Sequence, residues 1–242
     1  MKELYNNYYK ESFSQSKSQK LDIKTFRLVA RKYYWNYQRF FKDLPKDIPI
    51  LDFGCGVGQF LFFLKKSGFT NIVGIDMSED QIQLAKKMQP TLNFEYTPDS
   101  FAWLKNHAKA FGVIVMNDVL EHIPLEQLIP TMQIIHTALY PEGRLIIKTV
   151  NANYPLGFGG RYMDLTHTTA FTDKSLKQLL LHCSFENIIC YQEEIGIYNP
   201  LFFLKKIVVY CVRGLLRSMI YFSESNWPKI ISTNIIGFAK KP

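Results

Sequence analysis

The sequence is poor in the features that mark disulfide-rich, zinc-binding and membrane-spanning proteins. Its four cysteines, Cys55, Cys183, Cys190 and Cys211, are scattered and form no CxxC pair, which argues against a disulfide scaffold and against a zinc site. The amino-terminal segment lacks the apolar core of a signal peptide, and no apolar run approaches the roughly 20 residues that span a bilayer. These absences predict a reduced, cytoplasmic protein, with contact at the inner face of the membrane left open.

The charge is unevenly distributed along the 242 residues. Residues 1–50 carry 11 basic and 5 acidic side chains, residues 51–194 carry 11 and 15, and residues 195–242 carry 7 and 1. A nucleic-acid-binding domain would be basic throughout. Basic ends around a slightly acidic centre indicate instead a catalytic body whose extremities face something anionic, so no nucleic-acid partner is expected.

Hydrophobic periodicity indicates an α/β protein. Apolar residues recur every three or four positions from Leu21 to Phe41, which predicts a helix that Pro45 terminates. Beyond it, short apolar runs alternate with helical patterns, which is typical of a mainly parallel sheet. The predicted strands are Ile48–Phe53, Asn71–Asp76, Asn93–Tyr96, Gly112–Asn117, Gly143–Val150, Asn187–Gln192 and a last one within Ile230–Ala239. The predicted helices between them cover 57–67, 79–88, 99–108, 125–139 and 173–183.

A glycine-rich loop follows the first predicted strand. Its glycines, Gly54, Gly56 and Gly58, allow a ligand to approach the main chain closely, and the amides at the next helix start attract negative charge. The GxGxG spacing differs from the GxGxxG of dinucleotide enzymes, which disfavours an NAD-dependent oxidoreductase. Asp76 ends the second strand, where a carboxylate can accept hydrogen bonds from a ribose diol. The alternative is a tight turn with a carboxylate that caps the next helix.

Two segments, LDFGCGVGQ at 51–59 and VGIDMSEDQIQLAKK at 73–87, resemble the first two motifs of the class I S-adenosylmethionine-dependent methyltransferases. The resemblance continues through PDSFAWL, NDVLEHI and LYPEGRLIIKTVN, and covers about residues 48–194 and the last strand. It implies a Rossmann-like, seven-stranded mixed sheet in which only the last strand is antiparallel, with helices on both faces.

The same resemblance implies S-adenosylmethionine as the cofactor and a set of residues around it. Asp52 would orient the cofactor amine, Asp76 would hold the ribose hydroxyls, and Asp99 would accept the adenine amino group. The other residues implied to border the cofactor are Gly54, Cys55, Gly56, Gly58, Met77, Asn117 and Asp118.

Asp118, Glu121 and His122 follow the fourth strand at i, i+3 and i+4, which predicts one face of a helical turn. His122 is a candidate general base, and the two acids are candidates for positioning the cofactor amine. Together with His167 all three are candidate ligands of a divalent metal, and the alternative is a helix cap at Asp118 with solvated side chains. The pattern resembles ubiquinone-pathway O-methyltransferases and metal-dependent small-RNA methyltransferases. Because the aspartate is shorter than the first acid of the latter pattern, the metal is not favoured.

The long segment 151–172 follows the fifth strand and is the second chemical region. Its pattern RYxDxTHxxxFT, at 161–172, resembles methyltransferases of bacterial polysaccharide and lipid-linked glycan biosynthesis. His167 is the first candidate for a base against a substrate hydroxyl. The alternative is a histidine that hydrogen-bonds this loop to the next helix, which Thr172 is predicted to cap.

The predicted organisation is an amino-terminal helical lid (1–47), a methyltransferase domain (48–194 and 227–242) and a basic amphipathic insertion (195–226). In a helix over 200–222, four cations fall within about 120° of the helix circumference: Lys205, Lys206, Arg213 and Arg217. A wide apolar face with a narrow cationic stripe predicts a peripheral membrane helix. The alternatives are a lid helix packed on the domain and a dimer contact, and the oligomeric state is left open.

The sequence therefore predicts a methyltransferase that O-methylates a sugar or a lipid-linked intermediate of cell-envelope polysaccharide synthesis. A quinone-type or other small-molecule hydroxyl is the alternative acceptor. A non-catalytic, membrane-associated assembly subunit that binds the cofactor is the alternative of another class.

Overall fold

A computed structural model describes residues 21–154, 158–223 and 229–242. Its sheet has the order β3-β2-β1-β4-β5-β7-β6, and β7 runs antiparallel to both of its neighbours while the other pairs are parallel. The predicted seven-stranded mixed sheet is therefore confirmed. The strands are β1 (Ile50–Phe53), β2 (Ile72–Asp76), β3 (Asn93–Tyr96), β4 (Phe111–Asn117), β5 (Leu139–Val150), β6 (Glu186–Gln192) and β7 (Asn234–Lys240).

Helices cover both faces of the sheet, as predicted. One face packs against α1, α2 and α3, and the other packs against α4, α5 and α7. Thr172 caps α7 through a reciprocal bond with Ser175, which confirms the predicted start of that helix. The helices are α1 (Ile23–Phe41), α2 (Gln59–Lys66), α3 (Glu79–Met88), α4 (Ser100–Lys105), α5 (Leu125–Ala138), α6 (Phe158–Tyr162), α7 (Asp173–His182) and α8 (Pro200–Ser223).

The strand order reverses between β1 and β4, and this reversal positions the site. The helix after β1 crosses towards β2, whereas the chain after β4 crosses towards β5. The carboxyl ends of β1 and β4 therefore border the crevice in which open α/β sheets bind ligands. Both strands are buried over nearly their whole length, as their continuous apolar runs indicate.

Helix α1, the described part of the predicted amino-terminal lid, packs against α2 beside this crevice. Its aromatic side chains pack into a cluster with α2, in which the Tyr33 and Phe60 ring centroids lie 4.9 Å apart and those of Tyr37 and Phe60 lie 5.1 Å apart. Edge-to-face ring pairs of this kind add to the stability that burial provides. Residues 1–20 of the predicted lid lie outside the described residues, so its placement over a substrate stays a prediction.

Helix α8 forms within the predicted insertion, whose residues 224–226 lie outside the described part. The structure shows where the predicted cationic stripe lies. Arg213 is buried and donates to the Glu193 carbonyl oxygen at 3.2 Å, and Arg217 donates to the Lys229 carbonyl oxygen at 3.0 Å. Lys206 lies over the Trp35 ring, so three of the four cations turn towards the domain.

The outward face of α8 is apolar. Tertiary contacts hold three of the four cations inward, and the rest of the circumference carries the exposed apolar side chains Leu201, Phe203, Leu204, Ile207, Val208, Tyr210, Val212, Leu215, Met219, Tyr221 and Phe222. Within the described ranges, no helix combines the length and hydropathy that a membrane span requires.

Candidate active site

The glycine loop has the backbone that its composition predicts. Gly54, Gly56 and Gly58 have φ angles of +76°, +54° and +81°, a region that side chains disfavour. A Cβ on Gly54 would lie 2.5 Å from a methyl carbon of Val119, and one on Gly58 would lie 2.5 Å from the Phe94 ring. The φ angles therefore favour glycine at all three positions, and close packing adds a second reason at Gly54 and Gly58.

Asp52 carries the most unusual carboxylate of the crevice. The residue is 1% exposed, and neither carboxylate oxygen has a hydrogen-bond partner among the described residues. Burial, with a smaller contribution from the charge of Asp76, raises the pKa of Asp52 to about 8. A buried carboxylate without partners is costly unless a cation or a donor reaches it, so this position fits a ligand ammonium group.

Asp76 joins the loop to the end of β2. One carboxylate oxygen accepts the main-chain N–H of Gly56 and the other accepts that of Ser78, both at 2.8 Å. Burial raises the pKa of Asp76, and these two donors oppose the shift. The carboxylate is thus held in one orientation at the carboxyl edge, where it retains lone pairs for a diol.

Met77 and Asp99 lie at the ends of β2 and β3, on the expected adenine side of the crevice. Met77 is half-buried, and Asp99 is exposed. One oxygen of Asp99 caps α4 by accepting from the N–H groups of Phe101 and Ala102, at 3.1 and 2.9 Å. The helix-capping role is therefore present in the structure, and the adenine contact of Asp99 stays a prediction.

The side chain of Cys55 points into the core of the domain. A Cβ placed on Gly74 of β2 would lie 2.8 Å from the Cys55 sulfur, which shows how closely the loop packs on that strand. Burial raises the pKa of the Cys55 thiol well above its usual value. In this position Cys55 offers a ligand its main chain.

Asn117 closes the crevice at the end of β4. Its side-chain oxygen accepts a short hydrogen bond from the Tyr37 hydroxyl, which fixes the amide orientation. The amide nitrogen is buried and has no partner among the described residues. It is therefore a second polar group, with Asp52, that a ligand is positioned to satisfy.

The predicted helical turn of Asp118, Glu121 and His122 is wrong. Asp118 has a φ of +56° and precedes a 3₁₀ helix that covers Leu120–His122. Its carboxylate lies 2.5 Å from the Lys148 ammonium of β5. Burial is the largest single influence and disfavours the charged form of Lys148, but the combined attraction of Asp118 and other nearby groups raises the pKa of Lys148 well above its usual range.

His122 and His167 meet at this edge, with ring centroids 4.6 Å apart. Nδ1 of His167 lies 2.8 Å from the Gly160 carbonyl oxygen, which can only accept, so Nδ1 carries the proton. Nδ1 of His122 lies 2.7 Å from the hydroxyl oxygen of Thr166, whose own proton goes to Asp164. Both imidazoles are therefore assigned as Nδ1–H tautomers, with Nε2 as the basic nitrogen.

The surroundings of His122 determine the charge of its ring. Burial, reinforced by the neighbouring His167, lowers the pKa of His122 to about 4. His122 is consequently neutral at physiological pH. His167 binds the Gly160 carbonyl within the same loop and not the next helix, so the predicted bond to α7 is replaced by a contact inside the segment, and its role as a base stays a prediction.

The structure does not assemble the four predicted metal ligands. Glu121 is buried, accepts the Thr149 hydroxyl at 2.9 Å, and has a pKa that burial and the charge of Asp118 raise to about 8. Asp118 pairs with Lys148, and the Nδ1 atoms of His122 and His167 are hydrogen-bonded to Thr166 and Gly160. Over 21–154, 158–223 and 229–242, no three His, Cys, Asp or Glu side chains form a group that could hold a metal ion.

Three polar residues of this region were not predicted from the sequence: Tyr37, Lys148 and Thr166. Lys148 had a visible signal, since it is a charged residue in the otherwise apolar run of β5. Tyr37 looked like any other aromatic residue of an amphipathic helix. Thr166 acts through neighbours that only the folded loop brings to it.

The comparisons with known proteins agree with this geometry. A family model described as methyltransferase domain matches residues 26–189. The ubiquinone biosynthesis O-methyltransferase of Coxiella burnetii (strain Dugway 5J108-111) is 34% identical over 107 residues, 43% of this chain and 44% of that protein. The protein of the same name from Actinobacillus pleuropneumoniae serotype 7 (strain AP76) is 30% identical over 167 residues, 63% of this chain and 70% of that protein. The match thus spans less than half the length of the first relative.

A crystal structure of a SAM dependent methyltransferase from Archaeoglobus fulgidus has the same fold. The two structures align with a TM-score of 0.67 at 20% identity, over 89% of this chain and 94% of that chain. The family match covers more than half of the chain and includes the glycine loop, both acidic strand ends and the 3₁₀ helix. The chain therefore belongs to the methyltransferase domain family and has the class I fold of enzymes that take their methyl group from S-adenosylmethionine.

Proposed function

We propose that this methyltransferase methylates a hydroxyl oxygen of an acceptor that carries an apolar tail. The observation that supports the proposal is the imidazole pair of His122 and His167. A hydroxyl of high pKa, unlike an amine with a free lone pair, needs a base that takes its proton during the reaction. The relatives named ubiquinone biosynthesis O-methyltransferase support an oxygen acceptor.

The cofactor residues are proposed from the unsatisfied polar groups of the crevice. Asp52 binds the cofactor amine, because an ammonium group supplies both the charge and the donors that its buried carboxylate lacks. Asp76 accepts the ribose hydroxyls, and Asn117 donates its amide to the methionine end. The other residues around the cofactor are Gly54, Cys55, Gly56, Gly58, Met77, Asp99 and Asp118. When bound, S-adenosylmethionine supplies a methyl group activated by its sulfonium sulfur.

His167 is the proposed base, and its Nε2 takes the proton of the acceptor hydroxyl. The Gly160 carbonyl holds Nδ1–H and so keeps the basic nitrogen at Nε2. His122 stays neutral beside it, because burial and the neighbouring His167 lower the pKa of the His122 ring to about 4. Alignment in a dry crevice supplies the rest of the acceleration.

The acceptor class is proposed from α8. Its apolar face is exposed along most of the helix, and large exposed apolar patches mark contacts with membranes or partners. A bilayer surface at this face brings an apolar-tailed acceptor to the domain. A lipid-linked sugar and a quinone precursor both have this form, and the names of the curated relatives favour the quinone type. The proposed location is the cytoplasm, at the inner face of the membrane.

The reaction is tested with purified protein, labelled methyl donor and three acceptor panels: quinone precursors, lipid-linked sugars, and amines of matched size. Label on a hydroxyl oxygen is expected. His167→Gln should lower kcat by about 10²–10⁴-fold, the usual contribution of a general base, with unchanged cofactor affinity. The exposed His182→Gln is the matched control. Methylation of amines alone would overturn the proposal, and intact cofactor binding without any turnover would favour the assembly subunit.

The membrane contact is tested separately by flotation with vesicles. Replacing Leu204, Leu215 and Phe222 with glutamine removes three exposed apolar groups from one line of α8. Each of these exposed side chains contributes about 1 kcal/mol on insertion, so vesicle binding should fall roughly 100-fold.

The control replaces Leu28, Leu125 and Leu181, which are comparably exposed on other helices. Equal flotation of the two variants would reject α8 as the membrane contact.

A further inference from the structure

A groove with a volume of about 650 Å³ lies between α1 and α2, on the helical layer rather than at the carboxyl edge of the sheet. Its floor is aromatic: Phe62 and Phe63 come from α2, Phe41 ends α1, and Phe69 follows the end of α2. These side chains belong to the core and are themselves buried. The groove is therefore separate from the glycine loop and from the histidine pair.

The rim of the groove is cationic. No Asp or Glu is among the described residues that line it, and Asp43, next to the rim in sequence, is directed to Arg144 at 3.7 Å. Five cations line the groove: Arg27, Arg31, Lys42, Lys46 and Lys66.

Two of these cations lie on the aromatic floor. The Lys46 ammonium is 4.1 Å from the Phe69 ring centroid, and the Lys66 ammonium is 5.8 Å from that of Phe62. Apolar floor and positive charge therefore occur together in one site, which suits a ligand with an apolar chain and an anionic group.

The groove adjoins the start of α8. Arg31 lines the groove and lies 4.9 Å over the ring of Tyr198, whose centroid is in turn 4.9 Å from that of Phe202 on α8. The cationic rim and the exposed apolar helix are consequently neighbouring parts of one surface.

We propose that this groove binds an anionic phospholipid of the bilayer, with the phosphate at the cationic rim and the adjoining part of the acyl chain on the aromatic floor. Free phosphate would leave the floor uncovered. A second copy of the chain docked symmetrically would bring two sets of five like charges together. The proposal uses the membrane contact proposed for α8 but is independent of the methyl acceptor.

The test measures binding of the full chain to vesicles of phosphatidylglycerol with phosphatidylcholine, and to vesicles of phosphatidylcholine alone. The groove variant carries Lys42→Gln, Lys46→Gln and Lys66→Gln. Each cation near an anionic surface contributes about a fivefold gain in binding, so the variant should lose on the order of 100-fold on the anionic vesicles. Its binding to neutral vesicles should be unchanged, because α8 is intact.

The matched control carries Lys87→Gln, Lys105→Gln and Lys177→Gln, three exposed lysines outside the groove with the same change in net charge. The control should keep most of its anionic preference, and both variants should methylate a water-soluble acceptor at the wild-type rate.

Equal losses of binding to anionic vesicles in the two variants would overturn the proposal that the groove binds the lipid, in favour of general electrostatic attraction. Complete displacement of the protein from anionic vesicles by inorganic phosphate would overturn the assignment of a phospholipid as the ligand. A monomer–dimer shift confined to the groove variant would assign the groove to a second copy of the chain. Unchanged binding of the α8 variant to neutral vesicles would reject the helix contact without affecting the groove.

Discussion

Asp52 makes the ligand-free protein less stable as the pH rises, and this cost can be measured. Its pKa is about 8 in the folded protein against 3.8 for an unperturbed aspartate, because burial, and secondarily Asp76, disfavours the charged form. Between these values the folded state binds more protons than the unfolded state, so the free energy of unfolding falls with rising pH. The slope is about 1.4 kcal/mol per pH unit, and the full range amounts to about 6 kcal/mol as an upper bound.

Asp52→Asn removes this titration. Asparagine buries an amide without partners, which costs about 1–3 kcal/mol at every pH, but the difference in stability between variant and wild type should still change with pH. We expect it to shift in favour of the variant by about 1.4 kcal/mol per unit from pH 5 to 7.5.

Denaturant unfolding at a series of pH values, without cofactor, measures this difference, and the exposed Asp47→Asn serves as the control. A difference for Asp52→Asn that does not vary with pH would refute the reasoning. Calorimetry in buffers of different ionisation enthalpy adds a second test, since a ligand ammonium that pairs with Asp52 at pH 7 should release about one proton in the wild type only.

Three further predictions follow from the crevice. Thr166→Val should remove the contact that fixes the Nδ1–H tautomer of His122, which would change the ¹⁵N shifts of the ring and lower kcat while the cofactor affinity stays unchanged. Thr166→Ser should restore the ¹⁵N shifts and kcat. Unchanged ¹⁵N shifts in the valine variant would contradict the tautomer assignment. Gly58→Ala should cost about 1–3 kcal/mol in denaturant unfolding, because of its φ of +81° and the aromatic ring 2.5 Å from the new Cβ. Tyr37→Phe should keep the packing of α1 but lose the hydrogen bond to Asn117, which should lower the free energy of unfolding by about 1 kcal/mol. The variant should also bind the cofactor more weakly in calorimetry. An unchanged cofactor affinity would show that this hydrogen bond does not contribute to the cofactor site.

Much of the fold could be predicted because its signals are local. The run Val113–Met116 is apolar without interruption since β4 is covered on both faces, and the predicted α3 coincides with Glu79–Met88. The carboxyl ends of β1 and β2 coincide with the predicted ones, so the carboxylates of Asp52 and Asp76 were expected at the same edge. The sequence did not show that the Asp52 carboxylate lacks partners among the described residues, or that two main-chain amides hold the Asp76 carboxylate.

The sequence by itself determined the glycine loop, the alternation of strands and helices, and the set of polar residues at the carboxyl edge. Each of these depends on backbone conformations or burial patterns that a few neighbouring residues specify. Only the tertiary structure decided that Asp118 pairs with Lys148, that Thr166 orients His122, and that α8 turns its cations inward. These outcomes depend on which surfaces meet in the folded protein. Hydrophobic periodicity identifies the faces of a helix without specifying which one the rest of the protein will cover.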